Sequence, residues 1–318
     1  MRWLIAFLLT FSLGSAPAAA AGNKKPKNAD AENVGRRDIN QGSWNLYSPE
    51  REMALGEALA RDIERSARLL HDGPVVEYVT AVAERVARHS DLRMPLRVRV
   101  VDADELNAFA LPGGHFFIHA GLILETQSEA ELAGVIAHEV AHAAARHATR
   151  QMTRAHLWNW LSIPLVLVGG PVAYGVQQGL ALAGPLTFLK FSRNAEREAD
   201  FLGQQYHYRS GYDPVAFVDF FERMKQREKG GRAGIARAFT THPMSKERVV
   251  AAERTIEELL LPLEEYVVTT SQYEDARARL ENLMGQRRRR GEASGPVLRK
   301  RKAPAKGDNR LALPLGWP

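Results

Sequence analysis

Polar and apolar positions along the chain repeat with two different periods, and the switches between them mark out the elements. Ser48-Pro49-Glu50 opens a helix with Pro in its first turn, and a second helical run covers 74–89. From Leu96 to Val101 the pattern changes to Arg alternating with Leu or Val, the period-2 signature of a half-buried strand. Ala108 to Ala110 and Phe116 to His119 supply further strand on either side of a Pro112-Gly113-Gly114 turn. Helical spacing then returns. Ser128-Glu129-Ala130-Glu131 fits a capping box, in which Ser128 accepts from the Glu131 N–H and Glu131 reaches back. Leu132, Val135, Ile136 and Val140 follow at helical intervals, and only Gly134 interrupts the run before about Arg154. Asp213 with Pro214 starts another helix, whose Val215, Phe217, Val218, Phe220 and Phe221 form a core face. Ser245 caps a helix reaching about Leu261, and Ser271-Gln272-Tyr273-Glu274 begins a last short one. The pattern predicts an α+β fold, mostly α, with one small mixed sheet.

The two ends read differently from the body. Residues 1–21 have the form of a signal peptide: Arg2, an apolar core from Trp3 to Leu13, then small residues from Ala16 to Ala21. Residues 22–45 are polar and are expected to form a flexible leader. The catalytic body is assigned to 46–285, which is enough chain for one domain with a full core. Beyond it, 286–318 is expected to be a disordered basic tail. From Arg287 to Arg310 there are ten Lys or Arg against two Asp or Glu, a net +8. The whole chain carries +6, so the remainder is slightly acidic, at −2. The basic character therefore belongs to the tail, whose expected contact is a membrane surface or an anionic envelope polymer and not nucleic acid. The chain has no cysteine, hence no disulfide and no thiol for lipid attachment. Its oligomeric state is not legible.

The chemistry is concentrated in His138-Glu139-Val140-Ala141-His142. Positions i and i+4 of a helix share a face, so His138 and His142 can hold one metal ion, with Glu139 reaching its open side as general base. Ala145 and Ala148 stand where a metzincin would have Gly and a third His. A helix continuing to Arg154 would turn His147 roughly 180° from His138, so His147 is expected outside the site. The third ligand must come from elsewhere. In Ser192-Arg193-Asn194-Ala195-Glu196-Arg197-Glu198-Ala199-Asp200, Glu196 and Asp200 again lie at i and i+4. Glu196 suits the ligand that completes a His₂Glu site, and Asp200 suits the outer carboxylate that accepts the far N–H of a ligating His. Glu198 lies roughly 200° from Glu196 and is expected to face solvent.

These motifs, in this order, resemble the zinc metallopeptidases that include CAAX prenyl proteases, the membrane protease HtpX and periplasmic quality-control proteases. Asn107 to Gly114, Gly211-Tyr212-Asp213-Pro214 and Thr241-His242-Pro243 with Arg248 support the resemblance, which runs from about Tyr47 to Leu261. It implies a zincin-like fold in which a sheet edge flanks the cleft and pairs with extended peptide. It also implies one Zn²⁺ per chain on His138, His142 and Glu196, with Glu139 as base. It places His242 over the zinc, as a transition-state hydrogen-bond donor or as an inhibitory extra ligand; read from its position alone, His242 is a loop histidine that fixes the turn before the Ser245 helix. Arg248 is expected to pair with a carboxylate near the cleft or to orient substrate. Residues 157–189 contain no Asp, Glu, Lys or Arg. Pro and Gly cut this segment into runs too short to cross a bilayer one after another, which favours an apolar helical lid or a surface patch over a membrane hairpin. The expected function is an exported, periplasmic zinc endopeptidase acting on misfolded or envelope polypeptides. The alternatives are a catalytically restrained holdase and a membrane-embedded protease.

Overall fold

A computed structural model describes residues 28–167, 190–229, 242 and 245–291. Helices α1 (Pro49–Ser66) and α2 (Gly73–Arg88) precede the sheet. Its strands are β1 (Arg97–Val101), β2 (Ala108–Leu111) and β3 (His115–His119). Then come α3 (Ala120–Glu125), α4 (Glu129–Ala144), α5 (His147–Leu167), α6 (Arg193–Arg209), α7 (Pro214–Lys229), α8 (Lys246–Leu259) and α9 (Ser271–Arg289). The sheet order is β1-β3-β2, with β1 parallel and β2 antiparallel to β3. Gly113 and Gly114 make the β2–β3 hairpin possible. Both have positive φ, 77° and 83°, where a Cβ is disfavoured. The mostly helical α+β architecture is the expected one, and β2 forms the sheet edge nearest α4.

Helix α4 occupies the centre. Every residue from Glu129 to Ala144 is buried, so this helix is enclosed on all sides rather than amphipathic. At its start Ser128 Oγ accepts from the Glu131 N–H at 3.2 Å. The Glu131 carboxylate reaches one residue further back than a capping box requires, accepting from the Gln127 N–H at 2.7 Å. Helix α6 crosses α4 closely because Gly203 faces it: a Cβ there would lie 3.1 Å from Ala137 O and His138 Cα. Those neighbours are backbone and cannot swing aside, so Gly203 sets how near the second helix comes to His138.

Three expectations are corrected here. The leader is tied to the body from residue 28 onward. Arg37 Nε donates to Asp91 Oδ2 and its Nη1 to Gln205 Oε1, both at 2.9 Å, while Asn40 Nδ2 donates to Ala144 O at 2.8 Å. Composition reads such a segment as solvated because it cannot show that each polar group has a partner. At the other end α9 runs through Arg289, past the boundary at 285. Arg287 is buried, with an ion pair to Asp102 and another to Asp104 at 2.5 Å, so part of the first basic cluster is a structural anchor. The cap of α9 is Thr270 rather than Ser271, accepting from the Tyr273 N–H at 3.2 Å.

Of the apolar segment 157–189, helix α5 covers residues to Leu167, and 168–189 lie outside the described residues, as do 1–27 and 292–318. Among the described residues no helix is long and apolar enough to cross a membrane.

A buried histidine ties α6 to the start of α4. His207 is fully buried, stacks on Tyr212 and uses Nε2 to reach Ala130 O at 2.8 Å. Burial pushes its pKa down from 6.5 to about 4. Between those values the unfolded chain binds the extra proton, so stability falls as pH drops from about 6.5 towards 4, by about 3 kcal/mol in all. In His207→Gln the amide can still donate to Ala130 O but does not titrate. Thermal melts of the two proteins at pH 7 and 5 should show a smaller acid-side loss in the variant, and equal losses would refute the assignment.

Candidate metal centre

His138 and His142 project from one face of α4, and Nε2 of each ring faces the other at 3.1 Å. Helix α6, whose Ser192 caps it by accepting from the Ala195 N–H, delivers Glu196 to the same point. Glu196 Oε2 lies 3.5 Å from His138 Nε2, and Oε1 lies 3.6 Å from His142 Nε2. His242 adds Nδ1, 2.9 Å from Glu196 Oε1 and 3.3 Å from His138 Nε2. One ligand atom from each of these four buried residues falls within 4.8 Å of the others. The structure thus brings together the three residues expected to hold a metal and adds His242 as a fourth donor.

Outer partners hold this cluster in place. His138 Nδ1 sits 3.1 Å from Asp200 Oδ1, off the line of a good hydrogen bond. Arg248 forks onto Asp200, with Nε donating to Oδ2 at 2.6 Å and Nη2 to Oδ1 at 2.7 Å. Its Nη1 lies 3.1 Å from Glu196 Oε2. Ser245 caps α8 by accepting from the Arg248 N–H, which seats Arg248 in the first turn. Arg248 therefore sits behind the cluster, buried against the carboxylates of Asp200 and Glu196, the carboxylate pairing that was one of its two expected contacts.

The general-base candidate lies beside the cluster. Glu139 Oε2 accepts from the Ala110 N–H of β2 at 3.1 Å. Oε1 faces His242 Nε2 at 3.5 Å. A recess lined by Ala108, Leu122, Val135 and Phe221 borders Glu139 and His242. Burial raises the Glu139 carboxyl above the ordinary carboxylate range.

The electrostatics fit a cation. Burial works against a charged His138, yet the carboxylates of Asp200 and Glu196, 3.1 and 3.5 Å from its ring nitrogens, outweigh it and raise the imidazole to about 9. Burial and the neighbouring charge of His138 hold His142 far below its usual value. Burial also opposes ionisation of Glu196, but its hydrogen bonds to His138 and His242 keep it well below the carboxylate range. Glu196 Oε2 is buried, with the Arg248 guanidinium 3.1 Å away but out of line for a hydrogen bond. Two neutral imidazole nitrogens and a carboxylate oxygen in this arrangement form the donor set of a borderline-soft divalent ion.

His147 stays outside the four-donor cluster, as expected, but the continuous helix that was to turn it away does not exist, and Glu198 does not simply face solvent. Helix α4 does not continue to Arg154: it ends at Ala144, and Arg146 takes a left-handed φ of 55°. That conformation costs about 1–2 kcal/mol for a residue with a side chain. It is held by Arg146 Nε on Glu52 Oε2 at 2.5 Å and Nη2 on Tyr47 O at 2.6 Å. The turn restarts the chain as α5 and swings His147 back, so that its Nδ1 is 3.0 Å from His142 Nδ1. Glu198, expected to face solvent, lies 3.2 Å from His147 Nε2. Phe191 stacks on the other side of His142, ring centroids 4.2 Å apart. No periodicity of the sequence marks Phe191, whereas His147 was visible but its contact with His142 was not.

A helix bearing H-E-x-x-H, packed against a second helix that supplies a carboxylate and flanked by a sheet edge, defines the zincin-like class of metallopeptidases. Residues 76–256 match the sequence model of Peptidase family M48, and the chain belongs to that family. It is similar to the beta-barrel assembly-enhancing protease of Escherichia coli (strain K12), 29% identical over 252 residues, covering 74% of this chain and 50% of that protein. The protein of the same name from Yersinia pestis is 31% identical over 209 residues, covering 60% of this chain and 41% of that one. The mitochondrial metalloendopeptidase OMA1 of Schizosaccharomyces pombe is 32% identical over 231 residues, covering 71% of this chain and 64% of that protein. The chain spans about half the length of the E. coli relative.

Proposed function

We propose that this protein is an exported zinc endopeptidase, with His138, His142 and Glu196 as ligands and Glu139 as general base. The observation that carries the reading is the convergence of four buried donor groups within 4.8 Å of one another, with the Glu139 carboxylate beside them. Zinc held there supplies Lewis acidity towards a carbonyl oxygen and makes water a better nucleophile near neutral pH.

The chain's own residues do the rest. Ala110 N–H fixes one oxygen of Glu139, which leaves Oε1 to accept a proton from the attacking water and return it to the departing amine. Burial, which raises the carboxyl, makes it a stronger base towards the proton of that water. Asp200 holds the Nδ1 side of His138, and Arg248 holds Asp200. β2 is the sheet edge on the Glu139 side. Backbone pairing of an extended peptide with that edge demands little of its sequence, which supports an endopeptidase of broad specificity. The signal-like pattern of residues 1–21 and the similarity to proteases named for beta-barrel assembly support export to the periplasm and unfolded envelope proteins as substrates.

Purified full-length chain, freed of its signal-like segment, should contain about one zinc per molecule. It should cleave an unfolded protein, lose that activity to a chelator and regain it with added zinc. Chelator-insensitive cleavage, or a chain that takes up no metal, would overturn the proposal.

The position of His242 favours a second reading, a catalytically restrained form. Its Nδ1 lies among the atoms that would hold the metal, 3.3 Å from His138 Nε2 and 2.9 Å from Glu196 Oε1, where a fourth protein ligand would compete with water. His242→Ala separates the two: faster cleavage identifies an inhibitory ligand, and slower cleavage a group that assists turnover.

A further inference from the structure

The two histidines on α4 are supported differently. His138 meets a carboxylate directly through Asp200, whereas the Nδ1 of His142 meets no carboxylate among the described residues. Its neighbour is the Nδ1 of His147, 3.0 Å away, with His147 Nε2 a further 3.2 Å from Glu198 Oε2. Arg150 Nη1 reaches the same Glu198 oxygen at 3.4 Å and also donates to Ala145 O at 3.2 Å. His147 is 3% exposed, so bulk water does not substitute for these contacts.

We propose that His147 and Glu198 form an imidazole–carboxylate relay that positions His142 and strengthens it as a metal ligand. The inference rests on the reading of His142 as a ligand through Nε2, the atom that faces His138 and Glu196. With Nε2 committed to a metal, the proton of a neutral His142 resides on Nδ1. Two nitrogens 3.0 Å apart need one donor and one acceptor, so His147 Nδ1 must accept. The proton of His147 then sits on Nε2 and is donated to Glu198. One tautomer is thereby selected at each ring, and the negative charge of Glu198 is passed inward through an imidazole. The same effect reaches His138 from Asp200 without an intermediary. The relay is assembled by the left-handed turn at Arg146, which explains why a non-glycine residue is held there by two short hydrogen bonds.

Zinc affinity of the full chain, measured by competition with a chromophoric chelator, tests this without recourse to activity. His147→Leu keeps much of the buried volume and removes the acceptor, and should weaken zinc binding by roughly 10- to 100-fold. His147→Asn can place Oδ1 near the position of Nδ1 and should recover most of that loss, and melts of both variants without metal check that the difference in affinity is not one of folding. In the zinc-loaded protein, nitrogen NMR should show His147 protonated at Nε2 only. Wild-type affinity in His147→Leu, no recovery in His147→Asn, or an Nδ1–H tautomer at His147 would each overturn the relay. His142→Ala is the control for the underlying reading. If it binds zinc as tightly as the wild type, His142 is no ligand; if it loses zinc while His147→Leu does not, only the relay fails.

Discussion

Glu139→Gln is expected to bind zinc like the wild type and to lose peptide cleavage by a factor on the order of 10²–10⁴, the span attributed to a positioned general base. The side chain is 4% exposed and its Oε2 accepts from Ala110 N–H. An amide of the same shape keeps an oxygen for that bond and cannot take up a proton. The substitution introduces no uncompensated charge, because burial already disfavours the carboxylate form of Glu139. Its melting temperature should therefore match or slightly exceed that of the wild type. The comparison of kcat/KM on an unfolded substrate with metal content separates loss of the base from loss of the site. Cleavage within tenfold of wild type, at full zinc occupancy, would assign the proton transfer to another group.

The second large effect falls on stability. Arg248→Met should destabilise the metal-free protein by about 3–5 kcal/mol, the cost of leaving a buried ion network without one partner. Arg248 is 5% exposed and is the cation that forks onto Asp200 and lies 3.1 Å from Glu196 Oε2. Methionine fills comparable space and offers no charge, so both carboxylates would remain buried without the guanidinium. For a domain of this size the melting temperature should fall on the order of 10 °C. Arg248→Lys should lie between the two, since an ammonium cannot reproduce the bidentate geometry. A methionine variant melting with the wild type would show that the fork contributes nothing net. The same measurement with zinc present is informative: a bound cation supplies charge next to Glu196 and should narrow the gap.

Much of the site is written in short-range spacing. His138 with His142, and Glu196 with Asp200, each lie four residues apart on a helix with a recognisable serine cap. One turn of α-helix brings each pair to one face whatever surrounds it. The strands, the Gly113-Gly114 turn and the Asp213-Pro214 helix start are local in the same sense. The failures share a cause as well. The contact of His147 with His142 was missed because an Ala-rich run gives no local stop signal. The helix breaks there because Glu52 and the Tyr47 carbonyl, nearly a hundred residues away, hold Arg146 in a left-handed turn. Arg37 and Arg287 were read as solvated charges because Asp91, Asp102 and Asp104 are remote in sequence.

By itself the sequence determined where most of the helices begin, which residues four apart share a face, and that two imidazoles and a carboxylate were available for one ion. Tertiary structure decided that α6 lies close enough to α4 for Glu196 to meet those imidazoles, that His242 enters the cluster, and that Arg248 stands behind it. The physical reason is range. Helical periodicity is set by backbone geometry over a few residues. The meeting of α4, α6 and α8 depends on burial summed over the whole core and on close approaches such as that at Gly203, neither of which a local window contains.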